Sequence, residues 1–283
     1  MKKGLSIWSC PPGMMIKDSM RLAKNAGFEG IELALEMNGE ISMTSKTTEM
    51  KDIRMAAKDE GLEIVGLATG LYWSYSHTSG DPEKRDMAEK VTLKQLELAE
   101  SLGVDNILVV PGAVGVDFIN DCEIVAYDTA YERALEAIGK LSSSARKHNV
   151  VMALENVWNK FLVSPLEFRD FIDSIGSENV KAYFDVGNVI ASGYPEHWIK
   201  ILGKRIKRVH FKDYRRSAGD VNGFVDLLSG DVNFPAVIEQ LHEMKYNDFV
   251  TAEMVPPAPF YRYHSDQIVY NTSAAMDRIL GRV

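Results

Sequence analysis

Apolar runs of strand length alternate with longer amphipathic segments eight times along the 283 residues of this chain. Strands that alternate with helices in this way form parallel sheets with right-handed crossovers. Glycine closes the first three helical segments, as the left-handed cap of a helix C-terminus favours. The alternation therefore predicts an α/β fold. The strand-like runs are Gly4–Trp8, Gly30–Leu35, Glu63–Thr69, Asn106–Val110, Val150–Glu155, Val180–Asp185, Ile206–Asp213 and Phe249–Glu253.

Eight strand–helix pairs over this length favour a (β/α)8 TIM barrel, whose typical size is roughly 250 residues. A doubly wound open sheet is the alternative, and it commonly carries a glycine-rich nucleotide loop after its first strand. The corresponding turn here reads SCPPGMM, and neither GxGxxG nor GxxxxGK[ST] occurs in the chain. No linker or low-complexity stretch divides the sequence. We therefore predict one TIM-barrel domain over residues 1–283.

Charge and cysteine content narrow the expected partners and compartment. The formal net charge of -8 disfavours nonspecific binding to nucleic acids and anionic membranes. Two isolated cysteines, Cys10 and Cys122, suit a reducing compartment and do not form a disulfide framework. No apolar run approaches the ~18 residues of a membrane helix, and the apolar stretch near the start is too short for a secretion signal. We expect a cytoplasmic protein that binds neither nucleic acid nor membrane.

Four successive strand-like runs in the second half of the chain carry a metal-capable side chain at or near their C-terminal ends: Glu155, Asp185, His210 and Glu253. Carboxylates and imidazoles are costly to bury, so such repetition needs a compensating partner. The C-terminal ends of parallel barrel strands share one mouth, where a single cation could contact all four. Three carboxylates and an imidazole suit Mn²⁺, Mg²⁺, Zn²⁺ or Co²⁺. We therefore predict one divalent metal ion as cofactor.

Such a metal acts as a Lewis acid that chelates neighbouring sugar oxygens and stabilises an enediolate. We then expect Glu155 and Glu253 to flank the substrate, one to remove the proton next to the carbonyl and the other to return one. Each residue alone has a structural alternative: a glutamate can pair with an arginine, His210 can be a core histidine, and Asp185 can cap a turn. Their occurrence together and in order favours a functional site.

Short motifs along the whole chain resemble the xylose-isomerase-like TIM barrels, a family of sugar-phosphate isomerases and epimerases. The resemblance implies that Glu155, Asp185, His210 and Glu253 bind one divalent metal, and that Glu155 and Glu253 form the acid–base pair of the family's ketose 3-epimerases. It also implies a small sugar or sugar phosphate as ligand and a possible homodimer or homotetramer. The motifs are GFEGIEL at 27–33, LEN at 154–156, FDVGN at 184–188, VHFKD at 209–213, GDVNFP at 230–235 and AEM at 252–254.

Within that family the chain looks most similar to L-ribulose- or L-xylulose-5-phosphate 3-epimerases. Free-ketose 3-epimerases typically carry a further glutamate six positions after the first metal glutamate and a histidine three positions after the metal aspartate. Phe161 and Asn188 occupy those positions here. We therefore expect an isomerase that epimerises C3 of a ketopentose 5-phosphate.

Other functions stay open. They are a free-ketose epimerase or isomerase, an inosose-type dehydratase and a noncatalytic sugar-binding barrel. An abasic-site endonuclease is a remote alternative, because that enzyme type needs several more histidines than the one at a strand end here.

Substrate contacts are expected in the loops after the later strands, which commonly supply phosphate donors in TIM barrels. Lys212 shares the inward face of its strand with His210, and Arg216 matches a substrate-contacting arginine of the family. Arg215 is either a further contact or part of a solvated charge run. Glu32 is expected to be a barrel ion-pair partner. The complete predicted substrate-binding set is Lys212, Arg216, Asn188, Glu36, Trp8, Trp73 and His77.

Long connections follow the third, seventh and eighth strands, on the same face as the predicted metal ligands. Loops of this length are more often functional than accidental. We expect their aromatic residues to wall a pocket against water. These are Tyr72, Trp73, Tyr75, Phe260, Tyr261 and Tyr263.

Overall fold

The computed structural model describes residues 1–254 and 263–282. Eight parallel strands form its centre, and eight helices surround them. The barrel strands are β1 (Lys2–Ser6), β2 (Gly30–Leu35), β3 (Glu63–Thr69), β4 (Asn106–Val109), β5 (Val151–Glu155), β6 (Val180–Asp185), β7 (Ile206–Phe211) and β10 (Phe249–Ala252). The helices are α1 (Ile16–Asn25), α2 (Thr47–Asp59), α3 (Pro82–Leu102), α4 (Tyr127–His148), α5 (Pro165–Ile175), α6 (Pro195–Leu202), α7 (Phe234–Glu243) and α8 (Gln267–Ile279).

The sheet closes because β1 pairs with both β2 and β10. Around the barrel the strands follow the order β1-β10-β7-β6-β5-β4-β3-β2, and every neighbouring pair is parallel. The prediction of a (β/α)8 barrel is therefore confirmed. Parallel closure brings all eight C-terminal strand ends to one mouth. None of the helices in the described ranges is long and apolar enough to cross a membrane.

The helix ends follow the glycine signals in the sequence. Gly27, Gly61 and Gly103 have φ angles of 90°, 68° and 75° after α1, α2 and α3. A residue with a Cβ is disfavoured in this left-handed region, whereas glycine adopts it freely. These three glycines therefore direct the chain from each helix into the next strand.

The boundaries of five barrel strands differ from the predicted ones, by one residue at β4, β5 and β10 and by two residues at β1 and β7. β1 ends at Ser6, and Ile7–Ser9 form a 3-10 turn that carries Trp8 to the mouth. β7 ends at Phe211, and the chain then enters a two-stranded antiparallel hairpin of β8 (Asp213–Tyr214) and β9 (Phe224–Val225). Apolar periodicity does not predict this hairpin, because each of its strands has only two residues.

The carboxylate of Asp213 explains why the chain leaves the barrel at this point. It accepts hydrogen bonds from the backbone N–H groups of Tyr214 at 2.9 Å, Gly230 at 2.9 Å and Val232 at 3.1 Å. A Cβ on Gly230 would lie 2.2 Å from Asp213 Oδ1, so only glycine permits this approach. The buried aspartate therefore ties both ends of the long connection together at the barrel mouth.

A buried arginine stabilises the opposite, N-terminal end of the barrel. The Arg208 side chain is 7% exposed and forms ion pairs with Asp105, which precedes β4, and Asp248, which precedes β10. The two carboxylates raise the pKa of Arg208 above its usual value although burial alone would lower it. Residues at this face of a TIM barrel usually serve stability rather than catalysis.

Replacing both Asp105 and Asp248 by asparagine should lower the free energy of unfolding by about 3 kcal/mol, because a buried guanidinium then lacks a counter-charge. Urea denaturation measures the change. The matched control is Asp173→Asn, which removes an exposed ion pair with Arg205 and should cost less than about 1 kcal/mol. Equal losses in the two variants would contradict the assignment of Arg208 as the stabilising residue of this face.

Candidate metal centre and substrate cavity

Four metal-capable side chains meet at the mouth because their strands end at the same level. Glu155 and Asp185 are the last residues of β5 and β6, His210 is the penultimate residue of β7, and Glu253 follows β10 directly. Asp185 and His210 are also register partners. One ligand atom from each of the four residues lies within 4.8 Å of the other three. The structure thus brings together the four residues that the sequence singled out as metal ligands.

The imidazole of His210 is at the centre of this cluster and has no exposed surface. Its Nδ1 lies 3.0 Å from Glu155 Oε1 and 3.1 Å from Glu253 Oε2. Its Nε2 lies 3.0 Å from Glu32 Oε1, on the side away from the mouth. Both ring nitrogens therefore face carboxylates.

Two asparagines hold Asp185 in place. The Asn156 side chain donates to the backbone carbonyl of Asp185 and accepts from its backbone N–H, both at 2.9 Å. The Asn188 backbone N–H donates to Asp185 Oδ1 at 2.9 Å, and the Asn188 amide donates to the Asn156 carbonyl at 2.9 Å. Close packing at the intervening Gly187, where a Cβ would lie 2.5 Å from the Cβ of Lys212, requires glycine. These contacts explain the FDVGN motif.

Lys212 brings a positive charge to the same cluster. Its ammonium lies 2.7 Å from Glu253 Oε2 and 3.1 Å from Asp185 Oδ2. The lysine is two residues beyond His210 and shares its inward face, as the sequence predicted. The ammonium therefore partly neutralises the two carboxylates, and it also lines the cavity above them.

The pKa values of the cluster follow from burial opposed by neighbouring charge. Burial raises the pKa of Glu155 to about 7, because its hydrogen bond to His210 offsets only part of the desolvation. Burial also acts on Glu253, but Lys212 and His210 outweigh it and lower the Glu253 pKa to about 2. Burial alone would lower the pKa of His210, whereas the charges of Glu32 and Glu253 raise it well above its usual value. The two glutamates thus have different proton affinities.

The geometry fits a single divalent cation. Adjacent ligands of an octahedral ion with bonds of about 2.1 Å are about 3.0 Å apart. His210 Nδ1 is separated from Glu155 Oε1 and Glu253 Oε2 by 3.0 and 3.1 Å. Asp185 Oδ2 is buried and has the Lys212 ammonium 3.1 Å away, so it is a charged oxygen that faces the cluster. Three carboxylates and one imidazole are ligands that Mn²⁺, Mg²⁺, Zn²⁺ and Co²⁺ accept.

A cavity of about 1320 Å³ opens above the cluster, with Glu155, Glu253 and Lys212 in its lining. Asp213 and Arg215 of the β8–β9 hairpin contribute to one wall. Most of the remaining lining is apolar, and aromatic rings in such positions pack against the C–H faces of a ligand. The aromatic lining residues are Trp8, Trp73, Phe118, Trp158 and Phe224.

Four of the seven predicted substrate-binding residues line this cavity: Trp8, Trp73, Asn188 and Lys212. The other three lie outside its lining. Glu36 is exposed beyond the end of β2, where its backbone pairs with that of residues 41–43. Arg216 turns away because its Nε donates to the Ile190 carbonyl at 3.0 Å. Its neighbour Arg215 occupies the wall instead.

His77 is buried beneath the loop after β3 rather than in the cavity. It is 1% exposed, and its Nε2 lies 3.2 Å from Thr92 Oγ1. Burial lowers its pKa to about 4. Tyr72 packs beside it with its hydroxyl bonded to Thr92 and Gln95, so this part of the loop is a small internal core.

The remaining aromatic residues of the long loops contribute differently from the prediction. Tyr75 is half-buried outside the cavity lining, and Tyr263 is largely exposed. Phe260 and Tyr261 lie outside the described residues.

Sequence reasoning missed three aromatic lining residues, Phe118, Trp158 and Phe224, and the positioning role of Asn156. The Trp158 ring packs against Phe224 at a centroid distance of 5.3 Å, and its Nε1 donates to the Asn188 carbonyl at 2.8 Å. Phe118 packs edge-on against Trp73 at 5.2 Å. Of these residues, only Asn156 could have been predicted from the sequence, because it directly follows Glu155 in the LEN motif. The aromatic contacts join loops that are distant in sequence.

Comparison with known proteins places the barrel in a family. The model of the xylose isomerase-like TIM barrel family matches residues 20–268. The chain belongs to this family. A relative from Escherichia coli (strain K12), named "Putative L-ribulose-5-phosphate 3-epimerase SgbU", is 25% identical over 248 residues, which cover 82% of this chain and 81% of that protein.

Solved structures of this xylose isomerase-like fold superimpose over nearly the whole chain. A D-psicose 3-epimerase structure has a TM-score of 0.80 at 18% identity and covers 99% of this chain and 100% of its own. An L-ribulose 3-epimerase structure has a TM-score of 0.78 at 16% identity and covers 99% and 95%. The IOLI protein, solved with a bound zinc atom, has a TM-score of 0.79 at 16% identity and covers 100% and 99%. At sequence identities of 16% to 18%, this structural similarity establishes the fold.

Two buried histidines offer a matched test of the metal centre. Addition of Mn²⁺ at about one hundred times its Kd should stabilise the protein by about 2.7 kcal/mol and raise Tm by roughly 5–10 °C. His210→Gln should abolish this increase because it removes a ligand from the cluster. His77→Gln should retain it, because His77 lies outside the cavity. Differential scanning calorimetry measures both, and an equal Mn²⁺ response in the two variants would exclude His210 as a ligand.

Proposed function

We propose that the protein is a divalent-metal-dependent 3-epimerase that acts on a ketopentose 5-phosphate. The observation that carries the proposal is the pair of glutamates in one cluster. Glu155 and Glu253 end strands on opposite sides of β6 and β7, line the same cavity, and have carboxylate oxygens that both reach His210 Nδ1. Membership of the xylose isomerase-like family and the sugar epimerases among the similar proteins support it.

Epimerisation at C3 requires two proton transfers on opposite faces of the sugar. One glutamate removes the C3 proton, which the adjacent C2 carbonyl makes acidic, and the other delivers a proton to the opposite face. Two carboxylates at the cavity floor provide one group for each face. After one turnover their protonation states are reversed, so exchange with solvent must precede the next turnover in the same direction.

Glu155, Asp185, His210 and Glu253 would hold the divalent cation in this function. When bound, the cation supplies a Lewis acid for the negative charge that develops on the substrate oxygens. Lys212 adds a second positive charge at the cavity floor, where its ammonium lies 5.6 Å from the centroid of the Phe224 ring. The aromatic walls exclude water from the carbon that exchanges its proton, which limits side reactions.

Arg215 is the residue that we assign to the substrate phosphate. It lines the cavity, and its Nε donates to the Ser229 carbonyl at 3.0 Å, which orients the guanidinium. Guanidinium groups bind phosphate through two parallel N–H donors. Arg216, the residue that the family resemblance favoured, packs against Tyr194 instead, with Cζ 5.3 Å from the ring centroid. The L-ribulose-5-phosphate epimerase name of the relative supports a phosphorylated substrate.

Incubation with L-ribulose 5-phosphate and Mn²⁺ in D₂O tests the reaction. We expect deuterium at C3 together with the C3 epimer, both followed by NMR. Glu155→Gln and Glu253→Gln should each lower kcat by about a thousandfold or more, within the range of general acid–base catalysis and its loss. A dehydrated product would instead indicate the dehydratase alternative.

The control for this experiment is Glu36→Gln, which neutralises an exposed carboxylate outside the cavity and should leave exchange unchanged. Absence of deuterium in every ketopentose and ketohexose, phosphorylated or free, would contradict an epimerase. Unchanged exchange in both Glu155 and Glu253 variants would contradict the assigned acid–base pair.

Arg215→Met should raise KM for the ketose phosphate by about 10- to 100-fold, because it removes a charged hydrogen bond to the phosphate. The KM for the corresponding free ketose should change little. Arg216→Met is the matched control and should leave both KM values unchanged. Steady-state kinetics with the two substrates measures this difference, and an equal effect on both would contradict phosphate binding by Arg215.

A further inference from the structure

Glu32 is a fully buried carboxylate on β2, whose sequence GIELAL is otherwise apolar or glycine. A carboxylate in the barrel interior loses its hydration and therefore needs specific partners. The expected role as a barrel ion-pair partner does not by itself specify which groups it contacts. The structure identifies them, and one belongs to the metal centre.

The two oxygens of Glu32 have different partners. Oε1 lies 3.0 Å from His210 Nε2, and Oε2 accepts a hydrogen bond from the Tyr183 hydroxyl at 2.5 Å. An ionised carboxylate only accepts hydrogen bonds, so the carboxylates at Nε2 and at Nδ1 each call for a positive partner. With a divalent cation at Nδ1, the remaining ring proton is on Nε2, which donates it to Glu32. A neutral imidazole protonated at Nε2 has its lone pair at Nδ1. That atom is the one that faces Glu155 and Glu253.

We propose that Glu32 is a positioning residue that holds His210 in the Nε2–H tautomer and directs the Nδ1 lone pair into the cluster. The inference rests on the proposed function, in which His210 binds the cation. Carboxylates that orient metal-binding histidines from behind strengthen metal binding in this way. Glu32 reaches the metal centre through His210 and does not line the substrate cavity.

Tyr183 completes the arrangement. Its hydroxyl engages the second oxygen of Glu32, so that the carboxylate cannot rotate away from His210 without losing this hydrogen bond. Its ring also packs against the imidazole at a centroid distance of 4.2 Å and an interplanar angle of 46°. Tyr183 thus restricts both the carboxylate and the ring that the carboxylate orients.

Mn²⁺ titration, followed by electron paramagnetic resonance of the free ion, tests the consequence for affinity. Removal of an orienting carboxylate typically weakens metal binding by about 10- to 100-fold, so Glu32→Leu should raise the Mn²⁺ Kd by this factor. Glu32→Gln retains an acceptor oxygen and should be affected less. Tyr183→Phe should raise Kd by roughly fivefold, the equivalent of one hydrogen bond. Glu36→Gln, an exposed carboxylate just beyond the same strand, is the matched control and should leave Kd unchanged.

NMR of protein with ¹⁵N-labelled histidine and bound ¹¹³Cd²⁺ tests the tautomer directly. His210→Asn identifies the His210 signals. In the unsubstituted protein we expect cadmium coupling to Nδ1 and a slowly exchanging proton on Nε2. In Glu32→Leu the Nε2 proton should exchange faster, whereas Glu32→Gln should restore part of the protection. A carboxylate that merely stabilised the barrel would change Tm and leave these His210 signals in place.

The outcomes separate this inference from the proposed function. If the unsubstituted protein binds neither Mn²⁺ nor Cd²⁺, the metal-dependent function itself fails. If it binds both, but Glu32→Leu and Glu32→Gln keep the Mn²⁺ Kd within about twofold and the His210 signals unchanged, the positioning role of Glu32 is wrong and the proposed function stands.

Discussion

Burial of one imidazole among carboxylates is the constraint around which this barrel mouth is organised. Each nitrogen of His210 faces a carboxylate, with Glu32 behind it and Glu155 and Glu253 in front. Such a concentration of acidic groups in a desolvated interior is unfavourable unless cations compensate it. The ammonium of Lys212 supplies part of the compensation, and the donor geometry suits a divalent cation for the rest. The features that favour catalysis are therefore the same features that cost stability.

Buried charged groups lie at both ends of the barrel, and they are compensated differently at each end. At its N-terminal end the buried guanidinium of Arg208 has two carboxylate partners in the loops that precede β4 and β10. At its C-terminal end the carboxylates outnumber the basic groups, and loops rather than helices supply the walls. Asp213 lies at the same mouth but has a structural role, because its carboxylate accepts hydrogen bonds from the backbone N–H groups of Tyr214, Gly230 and Val232. Asp213 and Asp185 thus lie at the same mouth but differ in role, because backbone N–H groups of the long connection occupy the first and the second faces the metal-capable cluster.

Strand-end chemistry allowed the four clustered residues to be predicted because parallel closure aligns the strand ends, whatever the details of packing. The same reasoning was less successful for the loops. Arg215 and Arg216 are neighbours of the same chemical type, yet Arg215 lines the cavity and Arg216 Nε donates to the Ile190 carbonyl. His77 has an aromatic loop context typical of a ligand contact, yet it packs on Thr92 of α3.

Apolar periodicity, glycine helix ends and the polar residues that terminate the strands were sufficient to derive the eightfold barrel and the membership of the metal-capable cluster. Those signals are local and repeat with every strand–helix unit, so they survive without knowledge of long-range contacts. The direction of loop side chains, the aromatic walls from Phe118 and Trp158, and the contact of Glu32 with His210 depend on residues 15 to 178 positions apart. Such contacts follow from barrel closure and packing, which bring distant strands and loops together in an order that no local pattern encodes.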